Sequence, residues 1–172
     1  NYGVTEFLAK KNNIKNSEVM IIYNKELSVV PITTHVRVKE VSKLLKKDFL
    51  KKKIKTLHQF YLKYFKKKPR IAVLGLNPHN LEYKKNSEEI RIIIPVINSL
   101  KTKYRINGPY PSDTIFLKDN LKKFDVIVGM YHDQVLTPFK TLYGFDAVNM
   151  TFGLPYIRMS PDHGVAEDKK KL

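Results

Sequence analysis

The stretch "PRIAVLGL", residues 69–76, gives the clearest indication of the fold class. It is a continuous apolar run of strand length, introduced by Pro69 and closed by Gly75, which is typical of a strand covered on both faces. "FDVIVGM" (124–130) and "GFDAVNMTF" (144–152) have the same character. Between them, "NSEEIRIIIPVINSLK" (86–101) predicts a helix with Asn86 or Ser87 as N-cap and acids in its first turn. This alternation of strands and helices predicts an α/β fold with a parallel sheet.

The segments before Pro69 add a helix, a hairpin and a basic helical region. "TEFLAKK" (5–11) predicts a short helix with Thr5 as a candidate N-cap. "SEVMIIY" (17–23) and "ELSVVPITT" (26–34) flank the turn "NK" and predict two strands of a hairpin. Residues 38–65 carry apolar side chains at helical spacing with lysines between them, which predicts one or two amphipathic helices.

Composition limits the function classes. The 172 residues contain no cysteine, and the formal net charge is +16. Without cysteine there is no disulfide framework and no thiolate metal site. In addition, no apolar run reaches the roughly 18 residues of a membrane span. We expect a cytoplasmic protein. The lysine-rich stretch 43–70 raises the alternative of a basic nucleic-acid-binding module, but its lysines are spaced as the polar face of helices, so a solvated face is the simpler interpretation.

Three of the five histidines share a sequence context. His35, His79 and His132 each follow a strand-like run or a turn leaving one. In open α/β sheets, ligands bind beyond the carboxyl ends of the strands. Three imidazoles there could bind a divalent ion and leave positions open for substrate or water, as in a catalytic site. The alternative is that each is a hydrogen-bonded loop histidine.

Other polar residues suggest recognition of an anionic ligand. Lys140, Asn149 and Arg158 lie in or beside apolar segments, and together they suit a small phosphorylated acid. Alternatively, Lys140 ends a helix and Arg158 pairs with Asp162. Two acids have open roles in the same way: Asp113 follows Pro-Ser and is by default a turn residue or N-cap, whereas Asp133 is either a helix-start acid or a partner that orients a metal-bound imidazole.

Several long motifs carry a family resemblance. In order they are "YGVTEFLA" (2–9), "ITTHVRVKEV" (32–41), "GLNPH" (75–79) followed by "SEEI" (87–90), "NGPYPSDTIF" (107–116), "MYHDQVLTPFK" (130–140) and "VNMTFGLPYIRMSPDHG" (148–164). They resemble the 4-hydroxythreonine-4-phosphate dehydrogenase family, the NAD-dependent enzymes of pyridoxal phosphate biosynthesis. The resemblance covers almost the whole chain.

The resemblance implies a fold and an assembly. The family fold is like that of isocitrate and isopropylmalate dehydrogenases, with two α/β lobes and the active site in the cleft between them. Residues 1–130 would belong to the metal-binding and dimerisation lobe, and 131–172 to a segment returning to the other lobe. Family members are nearly twice as long, so the N-terminal half of the fold would be missing. The resemblance also implies a homodimer with the active site at the subunit interface.

The same resemblance implies the reaction and the residues that carry it. The reaction is the NAD-dependent oxidation and decarboxylation of 4-phosphohydroxythreonine to 3-amino-2-oxopropyl phosphate, with a divalent metal such as zinc, cobalt or magnesium. The implied positions are the metal ligands His35, His79 and His132; the substrate contacts Thr5, Lys140, Asn149 and Arg158; the catalytic residues Asp113, Asp133 and Lys140; and the cofactor contacts His163 and Gly164.

The sequence departs from the family pattern at three places. Val4 stands where the family has a substrate-binding histidine, and it can form no side-chain hydrogen bond. "NLEYKKN" (80–86) replaces a glycine-rich stretch but retains Glu82, and "VAEDKKKL" (165–172) replaces small and apolar residues. The departures support the alternative of a catalytically degenerate or truncated homologue that keeps only the metal-binding dimer.

Overall fold

The computed structural model describes residues 4–14 and 16–161, so the proposed cofactor contacts His163 and Gly164 lie outside the described residues. One seven-stranded sheet has the order β4-β3-β5-β2-β1-β6-β7. The strands are β1 (Val19–Tyr23), β2 (Ser28–Pro31), β3 (Arg70–Leu74), β4 (Arg105–Tyr110), β5 (Val126–Gly129), β6 (Val148–Phe152) and β7 (Arg158–Pro161).

The helices cover both faces of this sheet. They are α1 (Val4–Lys11), α2 (Val38–Leu44), α3 (Lys47–Phe60), α4 (Ile94–Leu100), α5 (Ser112–Ile115), α6 (Lys118–Leu121) and α7 (His132–Tyr143). A π-helical turn, Tyr61–Phe65, extends α3, and a second one, Glu89–Ile93, precedes α4. The short helical turn Pro78–Tyr83 follows β3.

The central strands are parallel, as predicted. β2 pairs with β5, β5 with β3, and β3 with β4, all in parallel. The predicted hairpin is also confirmed, because β1 and β2 pair antiparallel with Ile22 opposite Val29. β6 adds to β1 and β7 to β6, both antiparallel. The described chain therefore forms one continuous sheet on both sides of residue 130, and the predicted division into two lobes there stays a prediction.

Alternating side chains of β3 explain why this run is apolar throughout. Ile71 and Val73 lie in the core cluster beneath α3 and α4, whereas Ala72 and Leu74 lie in the cluster beneath α7. Because successive side chains of a strand point to opposite faces, a strand covered by helices on both sides needs apolar residues at every position. All four side chains are fully buried.

The lysine-rich region forms α2 and α3, as predicted, but one of its lysines is buried. Leu50, Ile54 and Leu57 of α3 are fully buried, and Lys53 is buried as well. The Lys53 Nζ donates a hydrogen bond to the Glu18 carbonyl oxygen at 2.6 Å. Lys53 therefore anchors α3 to the start of β1, and it does not belong to the solvated face.

Two predicted caps had different outcomes. Ser87 Oγ accepts a hydrogen bond from the Ile90 N–H at 3.3 Å, which confirms Ser87 as the cap of the helix that follows. Thr5 lies inside α1, so its assignment as N-cap was wrong. Its hydroxyl instead hydrogen bonds to the Thr151 hydroxyl at 3.0 Å, between buried side chains.

Candidate active site

The three candidate metal ligands lie at one edge of the sheet. His35 follows β2, His132 follows β5 and His79 follows β3. These three strands are neighbours and run parallel. Their carboxyl ends therefore meet at the same edge, which is where ligands bind in open α/β sheets.

His35 and His132 lie side by side. Their ring centroids are 5.7 Å apart. The exits of β2 and β5 are tied together, because Thr33 Oγ1 donates to the Met130 carbonyl oxygen at 2.7 Å and the Ile32 N–H donates to the Gly129 carbonyl oxygen at 2.8 Å. The backbone leading into both imidazoles is thus held by direct hydrogen bonds.

His132 has a carboxylate beside it. Its Nδ1 lies 2.7 Å from Asp133 Oδ1. A carboxylate that accepts the Nδ1 proton fixes the tautomer and leaves Nε2 as the ring atom available to a ligand. The role of Asp133 in orienting a metal-bound imidazole stays a prediction.

His79 lies in an unusual turn. Residues His79 to Tyr83 all have left-handed backbone angles, with φ between 47° and 57°. The neighbouring Asn80 is buried and anchors the turn, because its Nδ2 donates to the Pro109 carbonyl oxygen at 3.1 Å. Left-handed angles suit glycine and asparagine, and they are strained for Leu81 and Tyr83. The replaced glycines of "NLEYKKN" thus fall in a segment where a missing Cβ would help.

His79 and Asp113 face a common cavity. The His79 Nε2 lies 3.6 Å from Asp113 Oδ2. The cavity, of about 230 Å³, is also lined by Ser112 and by Tyr131, the residue before His132. Asp113 and His79 are both well exposed, so a ligand could reach either one.

The imidazole and carboxylate groups at this edge of the sheet suit a divalent metal, but these candidate ligands lie in two separate pairs. Among residues 4–14 and 16–161, no group of three His, Asp or Glu side chains lies in an arrangement that could hold an ion. His35 with His132 and His79 with Asp113 are the two pairs. The three-histidine site therefore stays a prediction.

Three of the four candidate substrate contacts lie together on the face of the sheet covered by α7. Thr5 bonds to Thr151, and Thr151 lies opposite Arg158 across β6 and β7. Asn149 is two residues before Thr151, so the two side chains point to the same face. The Asn149 Oδ1 is buried and has no hydrogen-bond partner among the described residues. A buried acceptor of this kind favours a ligand that can donate to it.

This set of residues lies near the histidine edge. Because β1 is antiparallel to both β2 and β6, β6 runs in the direction of β2. The carboxyl end of β6, with Thr151, therefore lies at the same edge as the exits of β2 and β5. Three strand spacings separate β5 from β6, or about 14 Å.

Lys140 lies in the last turn of α7, which agrees with the simpler interpretation that it ends a helix. Its Nζ lies 4.9 Å from the centre of the Phe145 ring. It lies eight positions after His132 in the helix, or about 12 Å along the helix axis.

The alternative partner of Arg158, Asp162, lies outside the described residues. Val4, in place of the family histidine, is 53% exposed beside Thr5.

Two buried polar residues of the site, Glu89 and Gln134, were not predicted from the sequence. The sequence indicated Glu89 only as an acid of a first helical turn, and gave Gln134 no role. Glu89 is fully buried, and its Oε1 accepts the Leu76 and Asn77 N–H groups, each at 2.8 Å. Gln134 is buried and bonds to three segments around the cavity. The motifs "SEEI" and "MYHDQ" contained both residues, but only the fold shows what they contact.

Comparisons with known proteins agree with this architecture. The family model described as "Pyridoxal phosphate biosynthetic protein PdxA" matches residues 1–171. A 4-hydroxythreonine-4-phosphate dehydrogenase of Aquifex aeolicus is 44% identical over 168 residues, covering 96% of this chain and 52% of the relative. A D-threonate 4-phosphate dehydrogenase of Pectobacterium atrosepticum is 39% identical, with 96% and 51% covered.

Solved structures show the same fold. The crystal structure of a 4-hydroxythreonine-4-phosphate dehydrogenase from Klebsiella pneumoniae matches with a TM-score of 0.82 at 38% identity, covering 96% of this chain and 50% of that one. The predicted α/β fold is therefore confirmed, and the chain spans about half the length of the curated relatives it matches. Within the described residues, no helix is long and apolar enough to cross a bilayer. The family model and the relatives together show that this chain belongs to the PdxA family of pyridoxal phosphate biosynthetic proteins.

Proposed function

We propose that this chain supplies the C-terminal half of an NAD- and divalent-metal-dependent 4-hydroxythreonine-4-phosphate dehydrogenase. The reaction would oxidise and decarboxylate 4-phosphohydroxythreonine to 3-amino-2-oxopropyl phosphate, in a homodimer with the active site at the subunit interface. The observation that carries the proposal is the position of His35, His79 and His132 after three adjacent parallel strands. Membership of the PdxA family supports the assignment of the dehydrogenase reaction to this edge of the sheet.

The three imidazoles would hold the metal. Neutral nitrogen ligands suit zinc or cobalt better than magnesium, which prefers oxygen. When bound, a divalent ion there would supply a Lewis acid that eases proton loss from the substrate's secondary hydroxyl, and NAD would accept the hydride. The carboxylates of Asp113 and Asp133 would orient His79 and His132 or take up a proton, because each lies beside one of these imidazoles.

The polar residues of β6 and β7 would bind the anionic parts of the substrate. Arg158 can grip a phosphate or carboxylate with two hydrogen bonds, and the buried Asn149 Oδ1 can accept one from the ligand. Lys140 would add a positive charge from α7. Thr5 would act through the hydroxyl pair it forms with Thr151, which lies opposite Arg158.

The decisive experiment is an assay of NADH formation from 4-phosphohydroxythreonine with added zinc or cobalt. It would compare the chain alone with the chain complemented by the N-terminal half of a family member, and D-threonate 4-phosphate would serve as a second substrate. We expect NADH from the complemented chain, reduced about 100-fold by His132→Ala and unchanged by Lys55→Ala on the exposed side of α3. A folded, complemented chain that forms no NADH from either substrate would contradict the proposal and favour the degenerate homologue.

Nucleic-acid binding is the remaining alternative for the basic region. α3 buries an apolar face of Leu50, Ile54 and Leu57, which explains its spacing without a polyanion. Salt-dependent affinity for duplex DNA or RNA in a filter-binding titration would favour the alternative.

A further inference from the structure

Gln134 lies at the point where three segments of the candidate site meet. It is the third residue of α7, and its side chain is buried. Its Nε2 donates to the Gly75 carbonyl oxygen and to Ser112 Oγ, each at 2.7 Å. Its Oε1 accepts the Met130 N–H at 2.6 Å. Both amide protons and the amide oxygen are thus used, and each bond goes to a different segment.

Each partner of Gln134 leads directly to a candidate site residue. Gly75 is the first residue after β3, on the path to His79. Ser112 precedes Asp113, and Met130 lies two residues before His132. One amide side chain therefore joins the three segments that carry His79, Asp113 and His132.

Gly129, at the end of β5, packs directly against the side chains of Gln134 and Val135. A Cβ added at Gly129 would lie 2.5 Å from Val135 Cγ1 and 3.0 Å from Gln134 Oε1. On the other side of the β3 exit, the buried Glu89 carboxylate accepts the Leu76 and Asn77 N–H groups. The backbone at residues 75–77 is therefore held by Gln134 through a carbonyl and by Glu89 through two amides.

We propose that Gln134 is a positioning residue that sets the relative placement of His79, Asp113 and His132. The inference rests on the proposed function, because it assigns these three residues to one site. Only an amide side chain can donate to Gly75 and Ser112 and also accept from Met130. A carboxylate keeps the acceptor and loses the donors, and a thioether of similar size loses both.

These differences give a test that does not need a bound metal. The imidazole 1H–13C NMR signals of His79 and His132 would be recorded at one pH for the metal-free chain and its variants. We expect Gln134→Met to shift both signals. Gln134→Glu should shift His79 more than His132, because it loses the bond to Gly75 and keeps the bond to Met130. The control Ile54→Val, on the buried face of α3, should shift neither. A purely structural role predicts no such difference between the two histidines.

Zinc affinity, measured by competition with a coloured chelator, separates this inference from the proposed function. We expect Gln134→Met to bind zinc about 10- to 100-fold more weakly than the wild type, and Ile54→Val to bind it equally. Shifted NMR signals in a chain that binds no zinc would support the positioning role and count against the metal site. Equal zinc affinity and unshifted signals in folded Gln134→Met would overturn the positioning role. If Gln134→Met does not fold, Gln134→Glu and Ser112→Ala provide the same comparison with fewer bonds lost.

Discussion

At the scale of single residues, the turn from His79 to Tyr83 shows the structural consequence of one departure from the family pattern. Five consecutive non-glycine residues, His79 to Tyr83, have left-handed backbone angles. Each such residue costs about 1 to 2 kcal/mol unless it is glycine or asparagine. The sequence indicated the missing glycines, but only the backbone angles show that the replacing residues are strained. The turn is held by Asn80 and by the Glu89 carboxylate, which offset part of that cost.

Replacing Leu81 by glycine should stabilise the protein. The side chain of Leu81 is partly exposed and its φ is 48°, so Leu81→Gly removes the strain with little loss of burial. We expect a gain of about 0.5 to 1 kcal/mol in the free energy of unfolding, after the greater entropy of glycine in the unfolded chain is subtracted. Urea unfolding would measure it. The control is Lys84→Gly, at φ −55°, which should destabilise the protein. Equal effects of both substitutions would show that the backbone at Leu81 is not strained.

At the scale of elements, the apolar runs predicted β3, β5 and β6, and the hairpin predicted β1 and β2. β4 and β7 were not predicted because glycine and proline interrupt their patterns, at Gly108, Pro109 and Pro161. Their places in the sheet come from pairing with β3 and β6, which is tertiary information. The same limit applies to Thr5, because its partner Thr151 is 146 residues away in the sequence.

Asp125 links the start of β5 to β3, and its ionisation makes the free energy of unfolding depend on pH. It precedes β5 and accepts the Arg70 N–H of β3 at 2.8 Å, as well as bonds from the Arg70 and Lys67 side chains. Burial opposes the ionisation of Asp125, but these hydrogen bonds outweigh it and lower its pKa from 3.8 to about 2. Because the folded pKa is the lower one, the stabilisation is complete only above about pH 5 and is lost progressively as the pH falls through the folded pKa.

Asp125→Asn should therefore cost stability at neutral pH and little at low pH. The shift in pKa corresponds to about 2 kcal/mol, which we expect as the loss in the free energy of unfolding at pH 7. The loss should shrink between pH 4 and pH 2. Denaturant unfolding across this range would measure it, with the exposed Asp119→Asn as a control that changes stability by less than about 0.5 kcal/mol. A loss of stability that does not change with pH would contradict the role of the ionised carboxylate.

At the scale of the whole molecule, the sequence was sufficient for the family and the α/β fold, because its motifs are long and span nearly the whole chain. It was not sufficient for the arrangement of the site. The rings of His35 and His132 lie 5.7 Å apart, and the His79 Nε2 lies 3.6 Å from Asp113 Oδ2, a pairing that no motif indicated. The helical spacing of the lysines indicated a solvated face, but did not reveal that Lys53 is buried against Glu18. Such details depend on packing between distant segments.

The metal content per chain is the most direct test of the three-histidine site. The chain would be incubated with zinc or cobalt, passed through gel filtration and examined by elemental analysis, alongside His79→Ala, His132→Ala and the control His58→Phe. His58 lies away from the site, and phenylalanine keeps its stacking on Tyr104. We predict one divalent ion per chain in the wild type and in His58→Phe, and none in the two alanine variants. A folded wild type without metal, or an ion that both alanine variants retain, would contradict the three-histidine site.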